Sequence, residues 1–225
     1  SKEVDLSKLS AFHDFIKDRF PVKEERIRFE AGIKVSPGEI PTVIPTSGGP
    51  DGYFFRSPNE NKIVQARLDG FTFNKLKPYE KWEIFFKEAR TLWDLYIKAA
   101  NPLKITRIAL RYVNRIEIPL PVSDFKEYIK TIPEIAPSLP YKLERFFMQF
   151  VMPNNEIEAT AIITQTIEPP APNQKRPLIF DIDVWKLTDY KGNTEEMWEV
   201  FEKLRMFKNE IFNESITEKA KELFQ

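Results

Sequence analysis

The sequence predicts an α+β fold: a mostly antiparallel, twisted sheet, or two abutting sheets, with two long helices on one face, arranged as a pseudo-twofold internal repeat. Three observations lead there. Several segments alternate apolar and polar residues at the period of a half-buried strand. Two tryptophan-bearing segments, KWEIFFKEARTLWDLYIKAANP (81–102) and MWEVFEKLRMFKNEIFNESIT (197–217), carry apolar residues at helical spacing. The elements also run in one order twice, helix then strands then long helix, which suggests one domain made of two related halves, about 1–102 and 103–225.

In the first half, Leu6, Leu9, Phe12, Phe15 and Ile16 mark an amphipathic helix that ends before Pro21. Ile27, Phe29, Ala31, Ile33 and Val35 alternate as a strand. Pro and Gly from Ser36 to Gly52 predict a long loop, with SGGPDG (47–52) as a flexible turn. YFFRS reads as a strand, and NKIVQARLDGFTF as another, bent at Gly70. The long helix 81–100 follows, with Pro78 in its first turn and Asn101-Pro102 closing it. Trp82, Phe85, Phe86, Ala89, Leu92, Trp93 and Tyr96 form its apolar stripe.

In the second half, KITRIALRYVNRIEIP is a long strand and Val122–Lys130 a short helix. YKLERFFMQFVM and EIEATAIITQTI are strands joined around Pro153-Asn154-Asn155, EPPAPNQKRP is a loop, and PLIFDIDVWKL a strand. Thr194 caps the last long helix, whose stripe is Met197, Phe201, Leu204, Phe207 and Ile211, and Ser215 with Glu218 opens a final short helix. Aligned at Phe12 and Phe125, the two halves share Phe, Ile and Lys. Trp82, Glu83, Phe85 and Lys87 likewise match Trp198, Glu199, Phe201 and Lys203. The second half has a leading strand that the first lacks. The expectation is an open sheet edge near Arg26–Val35, exposed or paired with a second protomer as a homodimer.

Composition excludes several chemistries. The chain of 225 residues has no cysteine, so disulfides, thiolate catalysis and Cys-ligated metals are out. His13 is the only histidine and sits off the apolar stripe of its helix, so a partly solvated side chain is the better reading than a triad member. The 34 basic and 34 acidic residues cancel, which argues against nonspecific nucleic-acid binding while leaving a local basic strip open. No apolar run approaches the ~20 residues of a membrane span. The cytoplasm is the expected location, and nothing in the sequence demands a cofactor.

Two constellations carry possible chemistry. Arg107, Arg111 and Arg115 recur every fourth residue, and on a strand that spacing puts all three on one face, opposite Ile108, Leu110, Tyr112 and Ile116. Such a row suits an anionic small molecule or a protein partner. Asp181 and Asp183 share a strand face about 7 Å apart, with Asp69 as their first-half counterpart. They either pair with the arginines as a ladder or hold a divalent metal. In the metal case Arg111 or Arg115 would stabilise phosphoryl charge in a phosphohydrolase or nuclease.

The blocks RYVNRIEIP (111–119), FDIDVW (180–185) and KLRMFKNEIFNESITEKAKELF (203–224) resemble a sporadically distributed family of small prokaryotic proteins with no assigned activity. The resemblance implies a soluble bacterial or archaeal protein and supplies no catalytic residues. It also implies a strand-like segment before the first helix, absent here. A non-enzymatic ligand-binding or protein-interaction module is the leading expectation, with the metal-dependent enzyme and a structural subunit of a larger complex as alternatives.

Overall fold

The computed structural model describes residues 4–34, 42–139, 143–170, 175–192 and 195–224, with side chains described outside 29–34 and 42–47. The chain is α+β and divides into two compact units, Ser1–Leu103 and Lys104–Gln225. Each unit has its own four-stranded antiparallel sheet, so of the one-sheet and two-sheet arrangements open to the sequence the chain takes the second. Each long helix packs within its own unit.

The first unit opens with α1 (Leu6–Ile16), whose first turn is capped by Asp5 accepting from the Lys8 backbone N–H. Strands β1 (Val22–Lys34), β2 (Thr42–Arg56), β3 (Lys62–Arg67) and β4 (Gly70–Lys75) then form a meander in that order. Helix α2 (Trp82–Ala100) closes the unit. Alternation dictates the core. Phe55 on β2 and Val64 and Ala66 on β3 point inward with Phe71 and Phe73 of β4, and meet Leu9, Phe12 and Ile16 of α1 and Leu92 and Tyr96 of α2. Phe12 sits at the centre, edge-on to Phe55, Phe71 and Tyr96 with centroids 5.6, 6.3 and 5.8 Å away. Glu88 of α2, mostly buried, accepts from Lys62 Nζ of β3 at 2.7 Å and also pairs with Arg19, tying helix to sheet.

Several expectations fail here. The SGGPDG segment is strand rather than flexible turn, because β1 supplies a partner along its length. The surplus residues are absorbed as two register shifts, Ile27 opposing Pro50 and Phe29 opposing Ser47, with Gly49 at φ +80°. Residues 62–75 form a hairpin rather than one bent strand. Leu68 and Asp69 turn the chain, and Asp69 pairs locally with Arg67 at 3.1 Å. Pro78 precedes α2 instead of entering it, and Lys81 is the N-cap. Asn101 does end that helix, in the left-handed region at φ 47°. Residues 36–41 of the expected loop lie outside the described residues.

The second unit runs β5 (Ile105–Pro119), β6 (Phe147–Asn154), β7 (Ala159–Ile167), β8 (Lys175–Tyr190), α3 (Glu195–Ser215) and α4 (Glu218–Lys221). Its sheet order is β5-β8-β7-β6. Helix α3 packs on β8 and β5, burying Leu204, Phe207 and Ile211 in the face that carries Ile108, Ile116, Phe180 and Ile182. Asn154 makes the β6–β7 turn by accepting from the Glu156 and Ile157 N–H groups.

The helix expected over Val122–Lys130 shrinks to one 3₁₀ turn, Phe125–Glu127. Its backbone is claimed elsewhere: Lys130 N–H donates to Ser215 O, and Thr217 N–H donates to Tyr128 O, closing a bridge between Ile129 and Ile216. Helix α3 consequently runs through Ser215, so Thr217 rather than Ser215 caps α4. The Thr194 cap lies outside the described residues. The leading strand β5 pairs with β8, the last strand, so it is no neighbour of the strand that follows the 3₁₀ turn. Strand β1 is a sheet edge in any case, the terminal member of its meander.

Candidate functional site

On β5 the inward residues are Ile108, Leu110, Ile116 and Ile118, all buried. Arg107, Arg111 and Arg115 therefore share the opposite face, away from the α3-covered core. Register sets Arg111 opposite Asp183 and Val113 opposite Asp181, so both aspartates join the same face. The side chains pair on the diagonal. Arg111 grips Asp181 bidentately, Nε to Oδ1 at 2.9 Å and Nη2 to Oδ2 at 2.5 Å, while Arg107 Nη2 reaches Asp183 Oδ2 at 3.4 Å. Arg107 also lies over the Trp185 ring, 5.4 Å from its centroid. Arg115 donates to Glu117 Oε1 at 2.7 Å and to Glu168.

The three arginines thus meet four carboxylates. Donation to Asp181 holds the pKa of the Arg111 guanidinium above its ordinary value, and donation to Glu117 and Glu168 does the same for Arg115. Asp183 moves the other way for a carboxylate. Burial raises its pKa, and the nearby Arg107 and Arg111 charges only partly oppose that.

Around the ladder the face is apolar and open. Val113, Leu187 and Val151 are 48%, 66% and 65% exposed, and Phe147 is 69% exposed. Register carries the row Arg111–Asp183–Ile162–Val151 straight across the sheet. Sequence reasoning found the arginine row and both aspartates. It missed Glu117, although that residue shares Arg115's strand parity, and Glu168, which only the β7–β8 pairing brings near.

Asp69 is far from equivalent: it sits exposed at a hairpin tip, bound to Arg67. Asp181 and Asp183 are engaged by guanidiniums, and among the described residues no group of three or more His, Cys, Asp or Glu side chains is placed to hold a metal ion. His13 is half-buried, its Nε2 2.9 Å from Phe20 O and its ring stacked on Phe55.

On the helix side, a cleft of about 220 Å³ is lined by Ile157, Lys186, Tyr190, Glu196, Lys203 and Leu204, among others. That is below the usual ~300 Å³ of a small-molecule pocket. Lys186 is already tied to Ile157 O and Glu158 there.

Lys208 of α3 is the other unusual cation. It lies 4.0 Å from the Tyr112 ring centroid, and no carboxylate pairs with it among the described residues. Burial, reinforced by Arg205, pushes its pKa down from 10.5 to about 8. Below pH 8 the folded chain therefore carries the whole cost of the charge. Between pH 8 and 10.5 the folded state sheds the proton first and stability rises; above 10.5 the cost is gone. Partial exposure and the ring face shrink that cost to about 1–2 kcal/mol. Lys208→Met should stabilise the protein by that amount at pH 7 in denaturant unfolding, with the gain vanishing toward pH 10.5. A destabilised variant at pH 7 contradicts this account.

No helix among the described residues is long and apolar enough to cross a membrane. No family model, curated protein or solved structure matches the chain.

Proposed function

We propose that this chain is a non-enzymatic interaction module whose open face on the second sheet binds a polypeptide partner. The observation that carries the reading is the contrast on that face: its guanidiniums are already matched by carboxylates, while Val113 and Leu187 beside them stand 48% and 66% exposed. A small anion would have to break the bidentate Arg111–Asp181 pair to bind. A divalent metal would have to pull Asp181 and Asp183 from their arginines with no third ligand in place among the described residues. A polypeptide can cover the apolar side chains and extend the charge pairs at the rim without undoing either.

The two units also fit an internal duplication. Each holds a three-stranded meander, a fourth strand beside its last member and a long helix after the sheet. The fourth strand is β4 at the end of the first meander and β5 at the start of the second unit. A soluble cytoplasmic protein of the prokaryotic group described above fits this role.

The test is selection of a displayed random-peptide library on the wild-type protein, followed by affinities on Leu187→Glu and Arg111→Glu. Enriched peptides should lose about tenfold or more in affinity on each variant, roughly 1.4 kcal/mol. Calorimetric saturation by inorganic phosphate well below about 1 mM, lost in Arg111→Glu, would replace this reading with an anion sensor.

A further inference from the structure

The second sheet ends at β6, which pairs with β7 and no other strand among the described residues. Exposed sheet edges are normally protected by charge, proline or brevity, because their unpaired N–H and C=O groups template another strand. The other terminal strands follow that rule. Strand β1 carries Lys23, Glu24, Glu25, Arg26 and Arg28; β5 carries Arg107, Arg111, Arg115 and Glu117; and β4 is only six residues long. Strand β6 does not. Phe147-Met148-Gln149-Phe150-Val151-Met152 has no charge at all, and Phe147, Val151 and Met152 are 69%, 65% and 46% exposed.

The backbone phase of that edge is set. Ile167 N–H donates to Phe146 O, and Phe147 opposes Thr166, so Phe146 and Ile167 form a hydrogen-bonded pair. Antiparallel alternation then turns Met148, Phe150 and Met152 toward β7, and leaves the N–H and C=O of Phe147, Gln149 and Val151 directed outward.

We infer that β6 is a self-association edge, pairing antiparallel with β6 of a second copy of this chain about a twofold axis at Gln149. In that register the outward groups satisfy one another: Gln149 opposes Gln149 of the other copy, and Phe147 opposes Val151 in both directions. Six main-chain hydrogen bonds form, two at each pair. Phe147 against Val151 is an aromatic–β-branched cross-strand pair on one face, and Met148 meets Phe150 on the other. At the axis, Gln149 already donates Nε2 to Thr164 Oγ1 at 3.1 Å, which holds its amide on the same face as its mate. No position brings like charges together, and an interface of this type is isologous, so every contact occurs twice. The dimer joins two four-stranded sheets into one of eight. The edge is short, so the complex belongs to the weak, reversible class.

This moves self-association from the charged Arg26–Val35 edge to β6, whose outward backbone carries it, although Phe147 and Val151 lie on the same sheet face as the ladder. The experiment is sedimentation equilibrium over a concentration series. Wild-type protein should shift from monomer to dimer as concentration rises. Gln149→Lys and Gln149→Glu each place like charges together at the axis and should stay monomeric, while a one-to-one mixture of the two should dimerise again. Val151→Pro removes only an outward N–H, a tolerated site for proline on an edge strand, and should also abolish the dimer. Circular dichroism verifies that each variant is folded. A wild type that stays monomeric throughout, or a dimer undiminished in Gln149→Lys and Val151→Pro, overturns the proposal.

Discussion

Phe12→Ala should lower the unfolding free energy of the first unit by about 3–5 kcal/mol. Phe12 has no exposed surface and meets three aromatic rings from β2, β4 and α2. Those neighbours belong to separate elements held by their own hydrogen bonds, so they cannot collapse to refill the space. The loss therefore includes both the transfer energy of the ring and the cavity it leaves. For a unit of this size each kcal/mol is worth about 4–8 °C in Tm. Hydrogen exchange at Val64 and Ala66, in the middle of β3, reads the same loss locally. A change below about 1 kcal/mol would mean that α1 is not docked on the sheet as described.

Gly52→Ala acts through the backbone and should cost at least about 3 kcal/mol. An alanine Cβ there would stand 2.2 Å from Ala66 O and 2.8 Å from Arg67 Cα. Both are main-chain atoms of β3, and Gly52 is the ladder partner of Arg67, so no rotamer change relieves the overlap. The β2–β3 pairing must part at that point. Gly49→Ala is the control. Its φ is +80° with nothing within 4 Å of a built Cβ, so only the left-handed backbone resists, at about 1–2 kcal/mol. Equal losses in the two variants, measured by denaturant unfolding, would contradict the close strand approach at Gly52.

The two glycines show where sequence reasoning stopped. SGGPDG contains every residue type that breaks regular structure, and a turn was the sound expectation from local chemistry. The segment becomes strand because β1 offers it a partner across the two register shifts, with Phe29 opposing Ser47, Ile27 opposing Pro50 and Arg26 opposing Gly52. Val122–Lys130 failed in the opposite sense. Its helical spacing was real, and Phe125 and Ile129 are buried at 5% and 0% exposure. Yet Ser215 and Thr217, some 90 positions away, hold the backbone groups that a helix would have used.

What the sequence determined alone is everything carried by local period. Alternation placed Arg107, Arg111 and Arg115 on one face of β5 and the isoleucines on the other. Helical spacing marked Leu92 and Tyr96 in α2, and Leu204, Phe207 and Ile211 in α3, as core. Side-chain direction on a strand or helix is a property of neighbouring dihedrals, so it can be read from a short window. Only the tertiary structure decided which strands lie side by side. That choice left the uncharged Phe147–Met152 stretch of β6 on a sheet edge, divided the strands between two sheets, and matched Arg111 to Asp181 across 70 positions. Pairing of distant strands depends on which partner best satisfies each backbone edge, and no local window of the chain contains that comparison.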